Sequence, residues 1–175
     1  NLPSTAHTVR SDNTGYVQHI DVAALGVLAD KHGLRLYMEV LPGAFLHLGA
    51  PLAHVVTDEA DQAATLEELS TALRDAVTVG LRRSFEQDPR FGFAVLAEIA
   101  SRALSPATND SGTVIDVIGR AVRCLTAWHV HAATEHDQRD IDPRCQRVHV
   151  HGLLLADLFD DFFTLVARDG AGLLE

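Results

Sequence analysis

The sequence has little positive charge, and this scarcity limits the surfaces to which the protein can bind. Of its 175 residues, 14 are Lys or Arg and 24 are Asp or Glu, so the formal net charge is −10. A nucleic-acid interface needs a basic face to neutralise phosphates, and anionic lipid likewise attracts basic segments. We therefore expect neither nucleic acid nor an anionic lipid surface as a partner.

Cysteines and long apolar runs are also scarce. The two cysteines, Cys124 and Cys145, are too few for a disulfide framework and favour free thiols in a reducing compartment. Because Cys124 falls in an apolar helical pattern, we expect its side chain to face the core. No apolar run reaches the roughly 18 residues of a membrane-spanning helix. No signal-peptide pattern follows Asn1.

The first third of the chain has the alternating pattern of β-strands. Within it, Asp21 as N-cap and Gly33 as a stop signal predict one short helix. Turn signals, such as Pro42-Gly43, separate the later strands. The other segments predicted here are a frayed or linker segment at residues 1–14, strands at 15–20 and 34–41, and two short strands within 44–56.

Apolar residues at helical spacing dominate the remainder. The predicted helices cover residues 58–80, 88–105, 110 to about 134, and 153–166, with a strand at 147–151. The fold class is therefore α+β. We expect a β-rich N-terminal part, residues 15–57, packed on a mostly helical C-terminal part, residues 58–175, that contains one late strand.

Two linked motifs resemble a known family. Gln87-Asp-Pro-Arg-Phe-Gly92 and Ser101-Arg-Ala-Leu-Ser-Pro-Ala-Thr-Asn-Asp110 are similar to the signature of domain of unknown function 2254 (DUF2254), a family of predicted bacterial membrane proteins. Gly15-Tyr-Val-Gln18 and Pro42-Gly43 also match its pattern. The resemblance implies the soluble C-terminal region of a bacterial plasma-membrane protein, whose own transmembrane region is its partner. A chain that starts with Asn1 rather than Met fits a region cut from a larger protein.

No activity is established for the family that this chain resembles. The chain departs from the family pattern at one position. Where the family has Asn-Asp-Pro, this chain has Asn109-Asp110-Ser111. Ser111 is harmless if Asp110 only caps a helix, but it puts a rigid catalytic loop in doubt. The free cysteines favour the cytoplasmic side of the membrane.

A second likeness concerns residues 41–53, which resemble the hairpins of lipoyl and biotinyl carrier domains, a barrel-sandwich shape. Those carriers attach their cofactor to an exposed lysine in a hairpin turn. The one lysine of this chain, Lys31, lies at the end of a predicted helix. We therefore expect at most the hairpin shape and not the carrier chemistry.

The polar residues of the two motifs are candidates for ligand binding. They would line a cleft between helix ends, where the arginines would bind an anion. Alternatively, Asp88 and Asp110 cap helices, Asn109 forms a tight turn and Arg102 ties the loop, which explains most of the motif without a ligand. The candidates are Arg82, Arg83, Gln87, Asp88, Arg102, Asn109 and Asp110.

His149 and His151 are candidates for metal binding. Residues i and i+2 of a strand share a face, so two imidazoles would reach one divalent metal such as zinc, with Val148 and Val150 facing the core. The alternative is a pair of solvent-exposed histidines. A third ligand would come from elsewhere in the chain, and the sequence does not identify it.

The predicted function is regulatory, sensory or assembly-related rather than catalytic, because the sequence has no nucleophile elbow and no phosphate-binding glycine loop. We expect a homo-oligomer that needs no cofactor. The alternative is a metal- or anion-binding enzyme domain that uses the Asn109-Asp110 loop or the His149/His151 pair.

Overall fold

The computed structural model describes residues 6–57, 66–137 and 146–173 and confirms the α+β fold class. The described chain forms two compact units. The first unit contains residues 6–57, 66–88 and 146–152, and the second contains 89–137 and 153–173. This division differs from the predicted boundary after residue 57, because the segment after residue 66 adds a helix and a strand to the first unit.

The first unit consists of two sheets and two helices. Its elements are β1 (His7–Arg10), β2 (Gly15–Ile20), α1 (Val22–His32), β3 (Leu34–Met38), β4 (Phe45–Leu46), β5 (Pro51–Thr57), α2 (Leu66–Asp75), β6 (Val77–Gly80) and β7 (Val148–His149). One sheet has the order β1-β5-β3-β7, in which only the β3–β7 pair is parallel, and the other has the order β4-β2-β6.

Two strands of this unit correct the sequence prediction. Residues 7–10 were expected to be frayed, but they form β1, which pairs with β5 and buries Val9. The end of the helix predicted at 58–80 is the strand β6, in which Val77 pairs with Ile20 of β2. In both segments the long-range pairing outweighs the local pattern, since strand formation depends on cross-strand packing.

The core of the first unit lies between the sheets and the two helices. Its fully buried members come from strands and helices alike, including Val17, Leu25, Leu36 and Leu73. The predicted ends of α1 are confirmed. Asp21 Oδ1 accepts a hydrogen bond from the Ala24 N–H at 2.8 Å, and Gly33 ends the helix in the left-handed region with φ of 61°.

The second unit consists of three helices, α3 (Pro89–Ala103), α4 (Ser111–Asp137) and α5 (Leu155–Gly170), followed by a short 3₁₀ helix (Ala171–Leu173). Helix α3 packs against both of the others. Arg90 of α3 donates two hydrogen bonds to Asp161 of α5, at 2.6 and 2.8 Å. The buried side chains that form this core are Phe93, Ala97, Ala100, Ala103, Val114, Val117, Ala121, Leu158, Phe162 and Val166.

Helix α4 is the longest element, and 27 residues correspond to about 40 Å. Cys124 lies on it, and the expectation that this thiol faces the core is wrong because its side chain is exposed. Cys145 lies outside the described residues. Within the described ranges no helix combines the length and the apolarity that crossing a bilayer requires.

Candidate functional site

Arg83 and Asp88 form a two-bond ion pair in the loop between β6 and α3. The Arg83 Nε and Nη2 atoms donate to the two carboxylate oxygens of Asp88 at 2.7 and 2.9 Å. The Asp88 residue is only 2% exposed, so this carboxylate is removed from water. A buried charge is tolerated only when it is paired and hydrogen-bonded, and the guanidinium supplies both.

The turn predicted at Pro42-Gly43 lies directly against this ion pair. Gly43 has φ of 90°, and its N–H donates to the Val17 carbonyl of β2 at 2.7 Å. A Cβ atom at residue 43 would lie 2.2 Å from Asp88 Oδ2 and 2.9 Å from Arg83 Nη2. Glycine is therefore required here for two reasons: the backbone conformation, and the space that the ion pair occupies.

The side chains of Gln18 and Gln87 form hydrogen bonds between β2 and the loop that contains the ion pair. The Gln87 amide accepts from the Ile20 N–H at 2.9 Å and donates to the Ile20 carbonyl at 3.4 Å. Gln18 Nε2 donates to the Arg82 carbonyl at 2.7 Å, and its side chain occupies the space where a Cβ on Gly80 would lie. These contacts thus join residues that are 64 and 67 positions apart in the sequence.

The ion pair limits what this cluster can bind. The fork of Arg83 that would hold an anion already holds Asp88, so an anion would have to displace a buried carboxylate. Arg82 is exposed. Gln87 uses both ends of its amide on the backbone of Ile20. The carboxylate of Asp88, which was expected to cap a helix, is thus held by Arg83, and Gln87 binds backbone.

The remaining candidates of the motif lie in the second unit. Asp110 caps α4, because its carboxylate accepts from the Thr113 N–H at 3.1 Å and the Thr113 hydroxyl at 2.5 Å. These bonds, the hydroxyl first, hold the pKa of Asp110 below its ordinary value of 3.8. Asn109 adopts φ of 43°, as a tight turn requires. The Arg102 guanidinium donates to Glu98, one turn earlier on α3, and not to the 109–110 turn.

The candidate residues belong to both units. Arg82, Arg83, Gln87 and Asp88 belong to the first unit. Arg102, Asn109 and Asp110 belong to the second unit, where only the last two share a turn.

His149 and His151 are both exposed, as predicted, and Val148 is buried. Val150, which was expected to face the core, is exposed because β7 ends at His149. The His149 ring stacks on Tyr37 with ring centroids 4.5 Å apart. Among the residues that the structure describes, no three His, Cys, Asp or Glu side chains are grouped as metal ligands.

Sequence reasoning missed a hydrogen-bonded chain of three side chains on the four-stranded sheet. Thr8 Oγ1 lies 3.1 Å from His54 Nδ1, and His54 Nε2 lies 3.0 Å from Glu39 Oε1. Since a carboxylate only accepts, His54 Nε2 is the donor to Glu39, and in the tautomer with its one proton on Nε2 the Nδ1 atom would accept from the Thr8 hydroxyl. This order of hydroxyl, imidazole and carboxylate is the one that activates hydroxyl nucleophiles.

Strand register places Thr8 beside His54. Thr8 and Tyr37 both pair with His54 across the sheet, and Tyr37 pairs with His149 on its other side, so these side chains share one face. The predicted strand at 34–41 indicated which residues of β3 alternate. The sequence contained no signal that β1 exists, so it contained no signal that Thr8 lies beside His54.

Comparison with known proteins places the chain among uncharacterised relatives. A family described as "Predicted membrane protein (DUF2254)" matches residues 1–175. The uncharacterized proteins Rv1290c of Mycobacterium tuberculosis and Mb1321c of Mycobacterium bovis are each 29% identical to the chain over 116 residues. That alignment covers 66% of this chain and 22% of each relative, so the match spans about a fifth of their length. No solved structure matches.

Replacing Gly43 by alanine is expected to disrupt the packing against the ion pair. Gly43→Ala combines backbone strain with a Cβ clash on a buried carboxylate, so we expect a loss of about 3 kcal/mol in unfolding free energy. Gly49→Ala is the matched control, because Gly49 has a similar φ of 82° and nothing within 4 Å of its Cβ position. It should cost only about 1 kcal/mol. Equal losses in urea unfolding would contradict the role of the ion pair.

The cap at Asp110 is expected to make α4 sensitive to acid. Because the folded-state pKa lies below 3.8, the contribution of Asp110 is present above that value and is lost as pH falls through the folded pKa. Thr113→Val removes the hydroxyl donor and should raise the pKa of Asp110, measured by NMR titration of its carboxyl carbon. Asp110→Asn, an equally good cap without charge, should remove this part of the acid sensitivity. An unchanged titration in Thr113→Val would refute the assigned cause.

Proposed function

Because this chain belongs to the DUF2254 family of predicted membrane proteins, we propose that it is a non-catalytic module of a membrane protein. It lies outside the bilayer, on the cytoplasmic side of the bacterial plasma membrane. Its role toward the membrane-embedded part of the same protein is regulation, sensing or assembly. It acts as a homo-oligomer, without a cofactor and without nucleic acid.

One observation carries this proposal: the polar residues of the family signature are engaged by the fold itself. Asp88 is paired with Arg83, Gln87 is paired with the backbone of Ile20, and Asp110 caps α4. A catalytic group needs a side chain that is held in place yet open to substrate. These groups are instead bound to one another, to the backbone of Ile20 and to the first turn of α4.

Charge and membership in this family support the location. A net charge of −10 opposes direct adsorption to anionic lipid, so attachment to the membrane would come from hydrophobic spans elsewhere in the protein. The exposed thiol of Cys124 is compatible with a reducing compartment. The charge favours a module held next to the bilayer and not within it, and the thiol favours the cytoplasmic side.

The location is testable by protease accessibility in a bacterium that expresses the complete protein. Trypsin cleaves after arginine, and Arg82 lies exposed in a loop. We expect cleavage in inside-out membrane vesicles and protection in intact spheroplasts, with the fragment ends mapped to the Arg82-Arg83 segment. Carbonate washing should leave the complete protein in the membrane pellet. Cleavage in intact spheroplasts, or release by carbonate, would contradict the proposal.

A second candidate function is hydrolysis of an activated ester at Thr8. Here the Thr8 Oγ1 bonds to the carbonyl carbon while its proton moves to His54 Nδ1, and Glu39 stabilises the resulting imidazolium. The proton then passes to the departing alkoxide, and water hydrolyses the acyl-threonine. This candidate ranks second because the same contacts are an ordinary cross-strand polar pair.

The two candidates are distinguished by an acyl-transfer assay with p-nitrophenyl acetate. A non-catalytic module should carry no acetyl group on Thr8. If Thr8 is a nucleophile, intact-mass analysis will show one added acetyl group, located on Thr8 by peptide mapping and abolished by His54→Gln. Thr71→Val is the matched control, since that hydroxyl only donates to the Glu67 carbonyl of its own helix.

A further inference from the structure

The segment that contains β7 belongs to the first unit, although the chain before it and after it belongs to the second. Residues 146–152, which we call the β7 strap, group with the first unit, whereas α4 and α5 are helices of the second unit. The β7 strap joins the four-stranded sheet at one edge, beside β3. The pairing of β7 with β3 therefore attaches the connection between α4 and α5 to the sheet of the first unit.

The backbone pairing of the β7 strap is short. Strand β7 has two residues, Val148 and His149, which pair with Leu36 and Tyr37 of β3. The Leu36 N–H donates to the Arg147 carbonyl at 2.8 Å, and the Val148 side chain is buried in the core of the unit. A short edge segment with little buried apolar surface opens at a lower free energy than a central strand does.

An ion pair at the start of the β7 strap contributes little to its attachment. Arg147 Nε lies 3.4 Å from Asp30 Oδ1 of α1, and the two side chains are 40% and 44% exposed. Ion pairs in such exposed positions contribute little to stability, because water and salt screen the charges. The side-chain contacts that belong to β7 itself are those of Val148 and His149.

The His149 ring makes the contact by which the β7 strap is held on the outer face of the sheet. The ring lies on Tyr37 with centroids 4.5 Å apart and planes 18° apart, and His149 is otherwise exposed. Stacked rings attract each other beyond the effect of the apolar area that they bury. Tyr37 is fixed from its other side by pairing with His54 of β5, so it provides a stable surface for the histidine.

Two neighbouring amides of β3 report separately on its two partners. The Leu36 N–H donates to the β7 strap, whereas the Glu39 N–H donates to the Leu52 carbonyl beside β5 at 3.0 Å. Because the N–H groups of a strand point alternately to its two neighbours, the Tyr37 N–H, two residues before Glu39, points toward β5. Loss of β7 alone would therefore free the Leu36 amide and leave the Tyr37 amide bonded.

We propose that the β7 strap is releasable: it detaches from β3 while the rest of the first unit stays folded, and the His149 ring on Tyr37 holds it in place until then. Release frees the connection between α4 and α5 from the sheet. The core of the unit remains, because buried residues such as Val17 and Val55 lie on strands that do not pair with β7. The inference concerns the described chain itself and does not rest on the proposed function.

Amide hydrogen exchange of the 175-residue chain, followed by NMR, tests the release. The Leu36 amide should be protected at least about tenfold less than the Tyr37 amide, and its exchange should not depend on low concentrations of urea. Val17→Ala weakens the core that remains after release, so it should speed exchange at Tyr37 and leave Leu36 unchanged. Equal effects of Val17→Ala on the two amides would overturn the proposal, because both would then exchange through global unfolding.

A matched pair of histidine substitutions tests the role of the stacked ring. His149→Ala removes this ring and should speed exchange at Leu36 by roughly threefold to tenfold. His151→Ala makes the same change two residues later, beyond the end of β7, and should leave exchange at Leu36 as it is in wild type. If the two substitutions had equal effects, or if His149→Ala had none, His149 would not be the residue that holds the β7 strap.

Discussion

The first unit depends on keeping one carboxylate, Asp88, out of water. Burying an unpaired charge costs several kcal/mol, so the surrounding residues must compensate for it. Arg83 does so with two hydrogen bonds, and Gly43 provides the space by having no side chain. Because Gly43 also donates to the Val17 carbonyl, the ion pair is linked to β2, the central strand of the three-stranded sheet. The ion pair thus connects three segments: the turn at residue 43, the 81–88 loop and β2.

Helix ends set the geometry of the second unit in the same way. Asp110 satisfies the free N–H of Thr113 at the start of α4, and Asn109 accepts the left-handed conformation that reverses the chain after α3. Ser111, where the family has proline, is compatible with this role, because the cap uses the Asp110 carboxylate and not the rigidity of the next residue. The family signature thus supplies an ion pair and a backbone-bound amide in the first unit. In the second unit it supplies a helix cap and a left-handed turn residue.

A surface on the four-stranded sheet is left over once those residues are explained. There the imidazole of His54 lies between the Thr8 hydroxyl and the Glu39 carboxylate. This arrangement is suited to proton transfer, and ordinary cross-strand pairing explains it as well. None of the signature residues takes part in it.

The sequence by itself determined the features that depend on neighbouring residues. The caps at Asp21 and Gly33, the start of α3 at Pro89, the turn at Pro42-Gly43 and the α+β class follow from local dihedral preferences and hydrogen bonds, which act over a few residues. The family resemblance was also readable, since it depends only on motif order.

Only the tertiary structure decided which distant residues meet. Strands β1 and β6 exist because their partners β5 and β2 supply hydrogen bonds and packing, which no local pattern specifies. The same holds for the carboxylate of Asp88 beside Gly43, and for Thr8 beside His54, whose contacts depend on strand register across the sheet. The exposure of Cys124 was decided in this way too, because the width of a buried helix face is set by the neighbouring helices and not by the helix itself.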